Sequence, residues 1–235
     1  MAAPRKTRAQ LETAIRTNLD EISPSFWATQ DIPQYINRAK DRVAMEVRKV
    51  KGDYLEVTRT SLDGAVTILG EAYDTANFRT VPGTTDYTLP PDFQEMVSIR
   101  CRTAGYEWLR LASRRQAQPD FQAAQETTAP QTPRYYTLLG ERTLRVEPLS
   151  DVTLDWELTY VAVVPDLTAP DSTLDLPHPL YMAVESYATG LALLKDHSQD
   201  AAAWEAAGNA TMALFFGSTD RQSTDVEYVR AYLED

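Results

Sequence analysis

The feature that most constrains this chain is a change in hydrophobic period. Apolar residues recur every three or four positions over residues 7–51. They alternate with polar ones from Tyr54 to Leu167, and return to helical spacing over 178–235. A strand-forming stretch between two helical ends predicts an α+β fold. Two helices are expected before the stretch and two to three after it, with antiparallel strands between. The expected segments are helical over residues 1–53, β-rich over 54–167, helical over 168–217, and a last short helix over 218–235.

The helical ends carry explicit start signals. Thr7 followed by Gln10 has capping-box form, and Leu11, Ala14, Ile15 and Leu19 follow at helical spacing. Asp31 is placed to cap a second helix, Pro33 suits its first turn, and Ile32, Tyr35, Ile36, Ala39, Val43 and Val47 make one apolar stripe. Arg38, Lys40, Arg42, Arg48, Lys49 and Lys51 sit mostly off that stripe, as on a solvated face or a basic partner-binding face. Leu180, Ala183, Val184, Tyr187, Ala188, Leu191 and Leu194 form a broad stripe after Leu176-Pro177. The next helix is capped by Ser198, is rich in alanine, and is expected to end at Gly217. Its small side chains allow close helix approach, within the subunit or between subunits. Thr224 and Glu227 then form a capping box for a last helix too short to be stable alone, so it is expected to dock on something. Trp27 and Trp204 read as anchors of the helical core, with Tyr35, Ile36 and Tyr187.

In the β stretch, Leu55 and Val57 precede a turn at Asp63-Gly64, with Val66 and Ile68 as the return strand. Residues 71–85 are poorly readable. Val97, Ile99 and Cys101 share one strand face, Tyr106 to Leu111 run back, and Ser113 to Gln125 suggest a short polar helix. The clearest hairpin joins Tyr135–Leu139 to Arg142–Glu147 through Gly140-Glu141. Leu154, Trp156, Leu158 and Tyr160 alternate with Asp155, Glu157 and Thr159, the pattern of a half-buried antiparallel strand.

Composition narrows the function. The single cysteine, Cys101, cannot form an internal disulfide, which suits a reducing cytoplasm. No membrane span or secretory signal is expected. The net charge of −11 opposes tight nucleic-acid binding and suits a surface that DNA passes without sticking, or simple solubility. There is no nucleophile elbow, phosphate loop or HExxH. No catalytic residue, cofactor site or metal site is therefore expected. His178 and His197 read as surface or helix-end residues, and Asp171 with Asp175 as a chance carboxylate pair rather than a glycosidase dyad. Tyr106, Trp108, Tyr135, Tyr136 and Trp156 suit either core packing or a sugar-binding platform.

The order of motifs resembles one family. Phe26, Trp27, Asp31, Ile32, Tyr35, Ile36, Asn37 and Ala39 come first, then Tyr87, Leu89, Pro90, Asp92 and Phe93. Pro133, Tyr135 and Tyr136 follow, closing on Pro148, then Leu167-Thr168, and last Leu176, Pro177, Ala183, Tyr187 and Ala188. Over residues 10–215 the chain resembles the head-to-tail adaptor (connector, or neck) proteins of tailed bacteriophages and gene-transfer particles. The resemblance implies one discontinuous helical bundle domain (1–53 and 168–217) carrying a central antiparallel β-rich insertion (54–167), with a C-terminal arm over 218–235. It implies a structural virion protein made in the host cytoplasm and located at the neck. It implies a ring, commonly a dodecamer, under the portal protein, extending the channel for passing double-stranded DNA and receiving the tail, nozzle or a neck protein. A C-terminal arm of Thr224, Glu227, Tyr228, Val229, Tyr232 and Leu233 would contact the portal. Gln131-Thr132 stand where such proteins often carry a glycine, and residues 54–85 are longer than the pattern. The alternatives are another virion part, such as a tail nozzle or fibre-attachment protein, and a carbohydrate-binding or hydrolytic module.

Overall fold

The computed structural model describes residues 5–21, 26–60, 63, 65–75, 79–102, 107–108, 110–111, 135–147 and 153–233, with the backbone alone at 51–52, 101, 107–108, 110–111, 135, 147 and 218–233. The polar helix expected over Ser113–Gln125 lies outside the described residues. The fold is α+β, with four α-helices and largely antiparallel sheets, in two compact units: Met1–Tyr54 with Val164–Asp235, and Leu55–Val163.

In the first unit, α1 spans Arg8–Asn18. Its capping box is present: Thr7 Oγ1 accepts from the Gln10 amide at 3.3 Å, and Gln10 Oε1 accepts from the Thr7 amide at 2.9 Å. Asp20, at φ 54°, ends the helix, and the Asp20 and Glu21 amides return to the Thr17 and Arg16 carbonyls. α2 spans Asp31–Lys51 and buries Ile32, Ile36, Ala39, Val43 and Val47. A 3-10 turn, His178–Leu180, leads into α3, Tyr181–Lys195. α2 packs on α3, α3 on α4 (Ala201–Leu233), and α1 on both α2 and α3.

One expectation fails here. α4 does not stop at Gly217, and no separate helix starts at Thr224: a single 33-residue helix runs from Ala201 to Leu233. A lone glycine costs a helix only about 1 kcal/mol relative to alanine. No proline follows it to break the hydrogen-bond ladder.

The α3–α4 turn stores a small strain. The His197 and Ser198 amides donate to the Leu194 and Leu193 carbonyls, which forces His197 into the left-handed region at φ 54°. His197→Gly is expected to stabilise the chain by about 0.5–1 kcal/mol, since glycine occupies that conformation without a Cβ penalty. Thermal melting checks this, and a lowered Tm would contradict it.

Among the described residues the second unit holds ten strands. One sheet runs β1 (Glu56–Thr60), β10 (Trp156–Ala162), β5 (Phe93–Cys101), β6 (Glu107–Trp108). Another runs β4 (Asp86–Thr88), β9 (Thr143–Glu147), β8 (Tyr135–Leu139), β7 (Arg110–Leu111). The β8–β9 hairpin is present, turning at Gly140 with φ 66°. The core gathers Tyr87, Leu89, Ile99, Tyr136, Leu144, Val146, Leu154, Trp156, Leu158 and Tyr160.

Three local readings are corrected. β2 (Ala65–Ile68) does not return along β1. It pairs with β3 (Glu71–Asp74) through Leu69-Gly70, both at positive φ, while β1 pairs with β10. Val97 does not share the buried face with Ile99. Thr159 faces Ser98 and Tyr160 faces Met96, so Val97 is the extra residue of a β-bulge, 44% exposed against 1% for Ile99. The sheets are not wholly antiparallel, because β7 pairs β8 in parallel.

Candidate assembly surface

The helical unit is pinned by buried polar side chains. The Arg16 guanidinium, 6% exposed, reaches Glu12 at 3.2 Å, Glu21 at 3.4 Å and the Trp27 carbonyl at 3.4 Å. Glu21 accepts from the Phe26 and Trp27 amides, so one ion pair shapes the α1–α2 connection. Trp27 is buried and donates Nε1–H to the Ala192 carbonyl at 3.0 Å, tying that connection to α3.

Lys40 departs from the reading of α2's cations as a solvated or partner-binding face. It is 1% exposed, and its ammonium donates to the Val164 carbonyl at 2.9 Å, Asp166 at 2.6 Å and Asp41 at 3.0 Å. Asn37 Oδ1 accepts from the Leu167 amide at 2.9 Å. Two polar residues of α2 thus clasp the segment leading back into the helices. A buried ammonium is tolerable because each of its three protons has an oxygen partner.

Of the expected helical anchors, Trp27, Ile36 and Tyr187 are buried, while Tyr35 and Trp204 are half-buried. The Tyr187 ring lies under the Arg42 guanidinium, 4.2 Å from its centroid, and its hydroxyl donates to Asn209 at 2.8 Å. Burial raises the Tyr187 phenol above its ordinary value, so it stays a neutral donor. Arg42 also pairs with Glu205 at 2.7 Å, joining α2 to α4. This ion pair lines a groove of about 290 Å³ together with Tyr187, Gly190, Leu191 and Leu194.

Several large apolar side chains of the helices are exposed, which the sequence reading did not single out. Leu214 is 75% exposed, Met182 64% and Leu194 59%. Of these, Leu194 was expected in the apolar stripe of α3, and its exposure corrects that reading. Thr224, Glu227, Tyr228, Val229, Tyr232 and Leu233 lie in the last part of α4, where only the backbone is described.

The other described polar clusters are hydrogen-bonded relays and ion pairs. Arg59 donates to the Tyr160 hydroxyl at 2.8 Å, which donates to buried Asp92 at 2.8 Å, and burial raises the Tyr160 phenol well above its ordinary value. The hydrogen bond from Lys195 holds the Asp31 carboxyl below its ordinary value. Two bonds of 2.7 Å from Arg145 do the same for Asp86. Asp175 pairs with Arg5 at 3.2 Å, and Asp171 is exposed. Tyr136 and Trp156, two of the five aromatics suited to a sugar platform, are buried in the β core. The side chains of Tyr106, Trp108 and Tyr135 lie outside the described residues. Among the described residues no group of His, Cys, Asp and Glu is placed to hold a metal ion, and no helix is long and apolar enough to cross a membrane.

A family model described as SU10 adaptor protein matches residues 6–230. No curated protein matches the chain.

Proposed function

The chain belongs to the SU10 adaptor protein family, a family of phage head-to-tail adaptors, and on that premise we propose that it forms an adaptor ring docked beneath the portal of a virion. The ring extends the DNA channel and receives the tail or nozzle at the neck. The observation that carries this reading is the span of the family match, which takes in both the helical and the β unit. In it the helical unit is a bundle (1–53 with 168–217), the β unit is its insertion (54–167), and 218–235 is an arm reaching the portal through Thr224, Glu227, Tyr228, Val229, Tyr232 and Leu233.

The physical properties support a structural part. The described polar clusters are closed on themselves, whereas the helices expose large apolar side chains that an assembly would cover. The charge of −11 suits a channel wall past which DNA slides, because phosphate binding requires cations. The test is imaging of virions, together with light scattering of the purified chain with and without portal. A ring is expected in both, and a chain ending at Gly217 is expected to bind portal at least tenfold more weakly. A chain absent from virions that never forms rings with portal overturns the reading.

A further inference from the structure

Leu214 is the most exposed of the large apolar side chains described, and it does not stand alone. Ala203, Ala207 and Ala210 precede it on the same helix face at spacings of four, three and four, and all are exposed. The residues that α4 buries in its own unit, Ala201, Gly208, Met212 and Phe215, point the opposite way. The chain carries no charge between Glu205 and Asp220. α4 therefore presents a smooth uncharged ridge with one leucine standing out of it.

The groove lined by Tyr187, Gly190 and Leu191 has the matching chemistry. The two charged residues of its lining, Arg42 and Glu205, already pair with each other, and Arg42 is further held by the Tyr187 ring. What remains open is apolar, with Leu194 of its lining 59% exposed. Ridge and groove share α4 but lie on different sides of it, so one copy cannot fill its own groove with its own Leu214. We infer that the occupant is a second copy of this chain: Leu214 of one subunit enters the α2–α3–α4 groove of the next. Charge favours this occupant. Two copies at −11 each repel, and the uncharged ridge lets them approach without placing like charges in contact. The alanines let the two helices pack closely. Two different patches in contact make a heterologous interface, which propagates head to tail and closes a ring when the rotation fits.

The inference rests on the ring reading, so the experiment separates the two. Assembly of the full chain is followed by light scattering over a concentration series. Leu214→Asp and Leu194→Asp are each expected to raise the concentration for assembly at least tenfold while leaving the thermal melt unchanged, since both positions are exposed. Leu214→Ala should act in the same direction, less strongly. Mixed in equal amounts, the two Asp variants should form a dimer that neither forms alone, because one intact ridge can still meet one intact groove. If the wild type assembles and both Asp variants assemble as well as it does, the ridge–groove contact is wrong and the ring reading stands. A mixture that yields no dimer likewise overturns the contact. A wild type that stays monomeric at every concentration, with and without portal, overturns both.

Discussion

Trp156→Ala is expected to unfold the β unit. Trp156 is fully buried in β10, the strand between β1 and β5, and meets the Tyr87 ring edge-on with centroids 4.9 Å apart. Truncating a buried tryptophan to alanine costs about 3–5 kcal/mol in lost transfer energy and cavity. That is a large part of the roughly 5–15 kcal/mol that holds a domain together. Trp156→Phe should be far milder. The indole Nε1–H is buried with no hydrogen-bond partner among the described residues, so its removal relieves a desolvation cost of about 1–3 kcal/mol that offsets part of the lost packing. Near-UV circular dichroism and limited proteolysis of residues 55–163 measure both variants. If Trp156→Ala melted like the wild type but lost binding to a glycan array, the ring would be a ligand platform and the core assignment would fail.

The sequence makes some of this architecture legible and hides the rest for identifiable reasons. β10 was readable because Leu154, Trp156, Leu158 and Tyr160 alternate without interruption, and all four are buried. The start of α1 was readable because Thr7 and Gln10 form their bonds within four residues of each other. Pairing was harder. Val66 and Ile68 alternate correctly, but which strand they meet depends on Leu69-Gly70 adopting positive φ, and leucine gives no warning of that. Val97 is misread because a bulge shifts the alternation by one, a choice made by the register with β10. Lys40 looks like one more surface cation until the segment 164–167 folds back over it. Partners more than a hundred residues away leave no local trace. The groove and the ridge are hidden for the same reason. Leu194 fits the apolar stripe of its helix, and only the packing of α3 on α4 leaves it and Leu214 facing outward.

That packing turns on one small residue, and here a modest substitution should have a large effect. Gly208 sits against Tyr187 so closely that an added Cβ would lie 2.6–2.9 Å from three of its ring carbons. The ring cannot retreat. Arg42 covers one face at 4.2 Å, and the hydroxyl is bonded to Asn209 of the same helix as the glycine. In an isolated helix, alanine would improve on glycine by about 1 kcal/mol. Here the clash should outweigh that gain, so Gly208→Ala is expected to destabilise the helical unit by about 1–2 kcal/mol, and Gly208→Leu by about 3 kcal/mol or more. The cause is separable by a double-mutant cycle. In a Tyr187→Leu background the smaller side chain should remove most of the cost of Gly208→Ala, giving a coupling of about 1–2 kcal/mol. Additive effects would show that Gly208 is needed for some other reason. Because α4 carries both the Leu214 ridge and one wall of the groove, displacing it moves two surfaces at once. Gly208→Ala should therefore weaken assembly by more than its loss of stability predicts, and light scattering well below its melting temperature reads that difference directly.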